Sequence, residues 1–269
     1  MKTEQDLLHF LGLMWVDYCK MNPQAQEIYT QLSKNNKVIN DHIALRTFNH
    51  PKLGIQSLAQ HFEAYGYEAR GDYTFTEKKL YAKHYEHKNN PDLPKIFISE
   101  LELEKVSPYI QETINQVVEQ IPNDKINSED FIYSGTHWET DYKVYSKLAE
   151  TSEYASWVYA FGFRPNHFTV SINHLTQFKD IAPLNEYIKS LGFKLNTSGG
   201  EIKGTASEYL EQSSTMANEV PLKFKDGVHQ VPACYYEFAK RYPLQNGHLY
   251  QGFIAKSADK IFESTNKKN

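Results

Sequence analysis

Apolar and polar positions change rhythm several times along this chain of 269 residues. Leu7, Leu11, Met14 and Tyr18 recur at helical spacing behind Thr3, with Asp6 three residues on, and the pattern stops at Asn22-Pro23. It predicts one helix there and a second from Pro23 to Ser33, followed by a polar loop, Lys34-Asn-Asn-Lys37. From Asp41 the period becomes two: Asp41-His-Ile-Ala-Leu-Arg-Thr-Phe48 alternates as a strand does. Ile55, Leu58, Phe62 and Tyr65 then restore a helical period, which Gly66-Tyr67 ends.

The same succession returns further on. Asn166-His-Phe-Thr-Val-Ser-Ile-Asn173 alternates, Leu184, Tyr187, Ile188 and Leu191 are spaced as on a helix, and Gly192-Phe193 ends it. His42 to Gly66 is 24 residues and His167 to Gly192 is 25. Strand-like runs follow each helix, at 73–75, 81–87 and 95–101 in the first copy and at 193–197, 209–216 and 233–238 in the second. Each copy reads strand–helix–strand–strand–strand. A separation of 125 positions between His42 and His167 is too long for a solenoid repeat and predicts a paired module in an α+β fold. Residues 105–160 between the copies read as mainly helical, an insertion or a bridging layer. The expected division is N-terminal helices at 1–40, a first module at 41–104, the helical insertion, a second module at 161–240 and a polar tail at 241–269. The tail after Arg241, which ends in Asn266-Lys-Lys-Asn269, is expected to fray, and the whole to form one compact domain.

Alternation also assigns faces. His42, Ala44, Arg46 and Phe48 share one face of the first strand, while Ile43 and Leu45 take the other. In its mate, His167, Thr169, Ser171 and Asn173 stand opposite Phe168, Val170 and Ile172. The apolar faces must pack on helices, so the polar faces line a concave sheet. Packing alone would not line a strand face with His and Arg, or with His, Thr, Ser and Asn.

The last strand of the second copy adds Glu237, and the first copy offers Glu100 as its counterpart. Pairing of the copies about a pseudo-twofold axis brings two histidines and one or two glutamates together. Two imidazoles and one carboxylate with open positions suit a non-heme Fe(II) oxygenase. Four ligands would suit a Lewis-acid metal instead. A lone strand histidine is more often structural, and only the matched positions of His42 and His167 raise the metal reading. His84 and His87 point to opposite faces, and His174 lies opposite His167. Arg46 follows His42 by four residues, about 13 Å along the strand. It can lean back to hold a carboxylate at two points, or form an internal ion pair, with Glu100 as the candidate.

Composition narrows the classes without naming a chemistry. Lys plus Arg number 29 against 33 acidic residues, a net charge of −4 that is too mild to point to nucleic acid or an acidic membrane. Residues 7–21 are too short and too polar to span a bilayer, and no basic segment leads into a cleavable apolar run. Two distant cysteines, Cys19 and Cys234, form neither a disulfide framework nor a zinc motif, so a reduced cytoplasmic protein is expected. Asn196-Thr-Ser-Gly-Gly200 fits neither a serine-hydrolase elbow nor a phosphate loop.

Several ordered motifs resemble one family. They are Asn40-Asp-His-Ile-Ala-Leu-Arg-Thr-Phe48, Ile96-Phe-Ile-Ser-Glu-Leu101, Arg164-Pro-Asn-His-Phe-Thr-Val170, Glu211-Gln-Ser-Ser-Thr-Met-Ala217, Tyr236-Glu-Phe-Ala-Lys-Arg241 and Ser257-Ala-Asp-Lys-Ile-Phe-Glu-Ser-Thr265. The family is that of the 2-oxoadipate dioxygenase/decarboxylases, which make 2-hydroxyglutarate in lysine breakdown. It belongs to the vicinal-oxygen-chelate, glyoxalase-like superfamily, whose unit is a βαβββ module.

The resemblance implies a metal held by His42, His167 and Glu237, substrate carboxylate on Arg46, and further substrate contacts from Gln212 and Ser214. It gives Glu100 no ligand role. It implies Fe(II), with Zn, Ni or Mn as other occupants, and a 2-oxo acid and dioxygen as partners. The chain is shorter than the family's characterised enzymes, which leaves the substrate open. Two rivals stand beside this reading. One is an oxygen-independent isomerase, lyase or hydrolase with Glu100 as a fourth ligand. The other is a non-catalytic protein that binds a small acid.

Overall fold

The Thr3 hydroxyl accepts the Asp6 amide while the Asp6 carboxylate accepts the Thr3 amide, a reciprocal cap that starts α1 (Glu4–Met21). Pro23 at the first helical position then opens α2 (Pro23–Ser33). These belong to a computed structural model that describes residues 2–265, so the expected fraying of residues 266–269 lies outside the described residues. The first module follows as β1 (Asn40–Phe48), α3 (Ile55–Glu63), β2 (Tyr67–Phe75), β3 (Leu80–His87) and β4 (Lys95–Leu101). Four helices fill the next segment: α4 (Pro108–Glu119), α5 (Asn123–Ile126), α6 (Tyr142–Ala149) and α7 (Glu153–Phe161).

The second module comprises β5 (Pro165–Ser171), α8 (Ile181–Ser190), β6 (Lys203–Thr205), β7 (Leu210–Ser214) and β10 (Tyr235–Arg241), with a hairpin of β8 (Glu219–Phe224) and β9 (Gly227–Pro232) inserted before its last strand. Both copies place a left-handed glycine just beyond the module helix, Gly66 at φ +95° and Gly192 at φ +92°. A side chain there would be strained, which explains the matched Gly-aromatic pairs in the sequence.

Eight strands form one curled sheet in the order β2-β3-β4-β1-β5-β10-β7-β6. The order is symmetric about the antiparallel seam between β1 and β5, each of which pairs in parallel with the last strand of its own module. One face carries Ile43, Leu45, Phe168 and Val170, all buried. Trp15 and Tyr18 of α1 pack on Phe168 and Tyr236 there, so the N-terminal helices shield the apolar side. The other face, lined by the polar residues of both strands, is roofed by α9 (Ala255–Ile261) and the residues around it. Among the described residues, no helix is long and apolar enough to cross a membrane.

Three expectations need correction. Residues 193–197 do not form a strand: only Leu195 bridges to Thr215, because β7 already pairs with β10 on one edge and with β6 on the other. The β8–β9 hairpin was not expected. It turns at Lys225-Asp226 and buries Val220, Phe224 and Val231. The tail is not a loose end within the described residues, since Phe253, Ile261, Phe262, Ser264 and Thr265 are all buried.

Candidate metal centre

Strand register assembles the site. Thr169 of β5 pairs with His42 of β1 on one side and with Glu237 of β10 on the other, and paired residues project from the same face. His167, two residues earlier on β5, shares that face. One ligand-capable atom from each of His42, His167 and Glu237 therefore falls within 4.8 Å of the other two. His42 Nε2 lies 3.5 Å from Glu237 Oε1 and His167 Nε2 lies 3.2 Å from Glu237 Oε2. The two contacts fall on different oxygens of Glu237, so the 4.8 Å bound is what describes one donor atom from each residue.

The surroundings prepare each group as a ligand. Burial lowers the pKa of His42 despite the pull of Asp41, and burial with the charge of Arg46 and the neighbouring His42 holds His167 well below the usual histidine value. Both rings are thus neutral, the form that binds metal. Each ring turns Nδ1 toward the side chain of the preceding residue: His42 to Asp41 at 2.8 Å, and His167 to Asn166 at 3.1 Å. That leaves both Nε2 atoms aimed at the common point, with Thr169 Oγ1 3.1 Å from His42 Nε2.

Burial pushes the Glu237 carboxyl up to about 8, and Gln212 fixes it by donating to Oε1 at 2.5 Å. Glu237 Oε2 is buried and accepts no hydrogen bond. A carboxyl oxygen buried between two neutral imidazoles costs stability unless a proton or a metal cation takes it up. The donor set fits a first-row divalent metal.

The remaining expected residues fall in different places. Arg46 is only 2% exposed; it donates from NH1 to Glu153 Oε1 at 2.8 Å and leaves Nε without a partner. Its guanidinium lies over the rings of Tyr154, Trp157 and Phe262. The expected ion pair to Glu100 is absent, with Glu153 in that role. Gln212 faces Glu237 directly, whereas the Ser214 hydroxyl meets Ser264 Oγ at 2.8 Å.

Glu100 is a correction of more consequence. Its carboxylate accepts the Ile55 amide at 2.9 Å at the start of α3, away from the triad. Register gives the true counterpart of Glu237. His42 pairs with Lys95 as His167 pairs with Tyr235, so the residue two further along β4, Phe97, matches Glu237. The fourth position of the duplicated site is aromatic, and the four-ligand arrangement with Glu100 is not formed. His84, His87 and His174 also lie outside the triad, with His84 held by Tyr73 and Glu86.

Other residues bearing on the site were not singled out in the sequence. Asp41 and Asn166 were legible as the polar residue before each matched histidine. Tyr235 stacks on His167 with ring centres 4.6 Å apart, and its hydroxyl is buried without a partner. Phe253 and Phe262 close the site from the tail, over a cavity of about 20 Å³ that also touches Phe97 and Gln212. That volume admits about one water molecule.

Comparison with known proteins bears directly on this centre. Residues 13–248 match the family described as 2-oxoadipate dioxygenase/decarboxylase. The chloroplastic 2-oxoadipate dioxygenase/decarboxylase of Arabidopsis thaliana is 35% identical over 282 aligned positions, covering 95% of this chain and 76% of that protein. Among solved structures, the hydroxyglutarate synthase of Oryza sativa in complex with 2-oxoadipate is 32% identical with a TM-score of 0.91, covering 97% of this chain and 92% of that one. A Shewanella frigidimarina protein with the provisional name of a hydrolase is 50% identical with a TM-score of 0.89, covering 93% of this chain and 98% of that one.

Proposed function

The chain belongs to the 2-oxoadipate dioxygenase/decarboxylase family, and we propose that it is a non-heme Fe(II) enzyme that converts a 2-oxo dicarboxylic acid of the 2-oxoadipate type into a shortened 2-hydroxy acid. The observation that carries this reading is the buried His42–His167–Glu237 group with Phe97, rather than a fourth donor, at the duplicated position. The reaction balances without an outside reductant: one 2-oxoadipate and one dioxygen give one 2-hydroxyglutarate and one carbon dioxide. Lysine breakdown is the corresponding place in metabolism. Both cysteines are free, which supports a reducing compartment, and we assign the cytoplasm.

A ferrous ion on the three ligands supplies the redox chemistry by which dioxygen oxidises the 2-oxo acid. The protein does the rest by position. Neutral His42 and His167 turn Nε2 toward the metal position, where a metal on His42 would replace the contact from Thr169, and Gln212 holds the Glu237 carboxylate in register with them. Arg46, in its aromatic box, offers the unpartnered Nε to the distal carboxylate of the substrate. The orphaned Tyr235 hydroxyl and the second face of Gln212 are further polar groups in reach of a bound acid. Phe97, Phe253 and Phe262 exclude bulk water, which strengthens every charge interaction beneath them.

The test is to load anaerobically purified protein with ferrous iron and follow dissolved oxygen and carbon dioxide with 2-oxoadipate, taking 2-oxoglutarate as the comparison. Equal oxygen uptake and carbon dioxide release with the six-carbon acid are expected. An Arg46→Gln variant should raise KM for that acid roughly 10- to 100-fold, as loss of a charged hydrogen bond of about 1.5–3 kcal/mol requires, with iron content unchanged. Iron-loaded protein that takes up no oxygen with either acid would overturn the proposal in favour of the oxygen-independent chemistry suggested by the Shewanella protein's name.

A further inference from the structure

Arg241 ends β10 and is 3% exposed. Its Nε donates to Asp41 Oδ2 at 2.7 Å and its NH2 to Asp41 Oδ1 at 2.8 Å, a two-point clamp. The same Asp41 Oδ1 is the atom facing His42 Nδ1. On its other side, Arg241 NH1 donates to the backbone carbonyls of Tyr250 at 3.0 Å and Gly252 at 2.8 Å. The guanidinium lies 5.1 Å from the ring centre of Phe253, and that ring meets His42 edge-on with centres 4.8 Å apart.

The contacts close a loop: His42 to Asp41, Asp41 to Arg241, Arg241 to residues 250–252, and Phe253 back to His42. Charge supports it. Burial pushes the Asp41 carboxyl up, but Arg241 and His42 together hold it well below the usual range, so it is a carboxylate. Lys95 of β4 adds a second positive charge nearby, and Glu86 of β3 faces Lys95 in turn. His167 has no equivalent, because Asn166 is neutral and its own amide nitrogen is buried without a partner.

We propose that Arg241 is a positioning residue that couples metal retention to the seating of the segment over the site, by orienting His42 through Asp41 and anchoring residues 250–253 with the same guanidinium. The inference rests on His42 being a metal ligand. A carboxylate behind a metal-bound imidazole fixes its tautomer and raises its basicity, and loss of such an outer partner costs about 10- to 100-fold in metal affinity. Here that partner is itself held by a cation that also grips the roof. Metal binding should therefore quiet residues 250–253, and a loosened roof should release metal.

The test titrates apoprotein with Co²⁺, followed by calorimetry and the visible cobalt spectrum, and measures amide hydrogen exchange over residues 250–265 with and without Co²⁺. In the wild type Co²⁺ should slow exchange across residues 250–253. Arg241→Lys keeps a charge beside Asp41 but cannot serve both carbonyls and the carboxylate. It should weaken Co²⁺ about 10- to 100-fold and lose the metal-dependent slowing. Asn166→Ala should weaken Co²⁺ while the slowing persists.

Asp41→Asn, which removes the charge without changing shape, serves where Arg241→Lys fails to fold, with the same two losses expected. A folded Arg241→Lys or Asp41→Asn protein with wild-type affinity, or with the slowing intact, would overturn the coupling. Wild-type protein that binds no Co²⁺ would remove the metal reading of His42 itself, a different failure.

Discussion

Where the second half of the sheet sets Glu237 beside Thr169, the first sets Phe97 beside Ala44. Around the seam the pairs continue: Asn166 against Asp41 before each histidine, Tyr235 against Lys95, Ser214 against His84, Gln212 against Ala82, Ser171 against Arg46. Strand order and pairing direction are the same in both halves, down to the left-handed glycine behind each helix. The chemistry is divided. The second half supplies His167, the Glu237 carboxyl and the Gln212 amide that steadies it. The first half supplies one histidine, an aromatic wall, and further along the strand a cation. The strand frame is symmetric, and the asymmetric side chains leave three groups that could hold a metal, with an aromatic residue at the fourth position.

The comparison breaks most sharply at Glu237. Replacing it with Ala should abolish metal retention and turnover together, a loss greater than the roughly 10- to 100-fold of outer-partner changes. Metal per chain after gel filtration is the readout, and full metal content in Glu237→Ala would mean that the second half does not complete the site. Phe97→Glu sharpens the same contrast from the other side. It restores the missing carboxylate, so metal should be held at least as firmly while oxygen uptake falls 10-fold or more. Unchanged activity would show that the flank beside β4 is not where substrate and oxygen meet. The smallest effect belongs to Glu100→Gln. It weakens the contact to the Ile55 amide at the start of α3 and should lower stability by about 1 kcal/mol, read from denaturant midpoints, with metal affinity untouched.

Much of this is legible in the amino-acid sequence. Two alternating runs with matched histidines, each followed by a helical run and a Gly-aromatic stop, placed His42, His167, Arg46 and Glu237 on one concave face. Counting along the chain then failed for Glu100, because equivalence in a sheet is decided by register across strands. Glu100 pairs with Thr47, whose side chain points away from the His42 face. The β8–β9 hairpin escaped because Pro221 interrupts an otherwise alternating run, although Asp226-Gly227 is a strong turn signal. The tail misled through its average polarity. Three apolar side chains, Phe253, Ile261 and Phe262, are enough to seat it when the surface that they cover is a site rather than a core.

The roof over the triad also sets a clock. The cavity over the triad, about 20 Å³ and partly open, is too small to hold a six-carbon diacid in the conformation described here. Binding of such an acid at the triad would require residues around Phe253 and Phe262 to shift, against the Arg46–Glu153–Thr265 contacts and the Lys78–Glu263 pair. Such motions run on microsecond to millisecond timescales and often limit turnover. On the proposed function, turnover would then depend on how readily those residues let go as well as on the chemistry underneath.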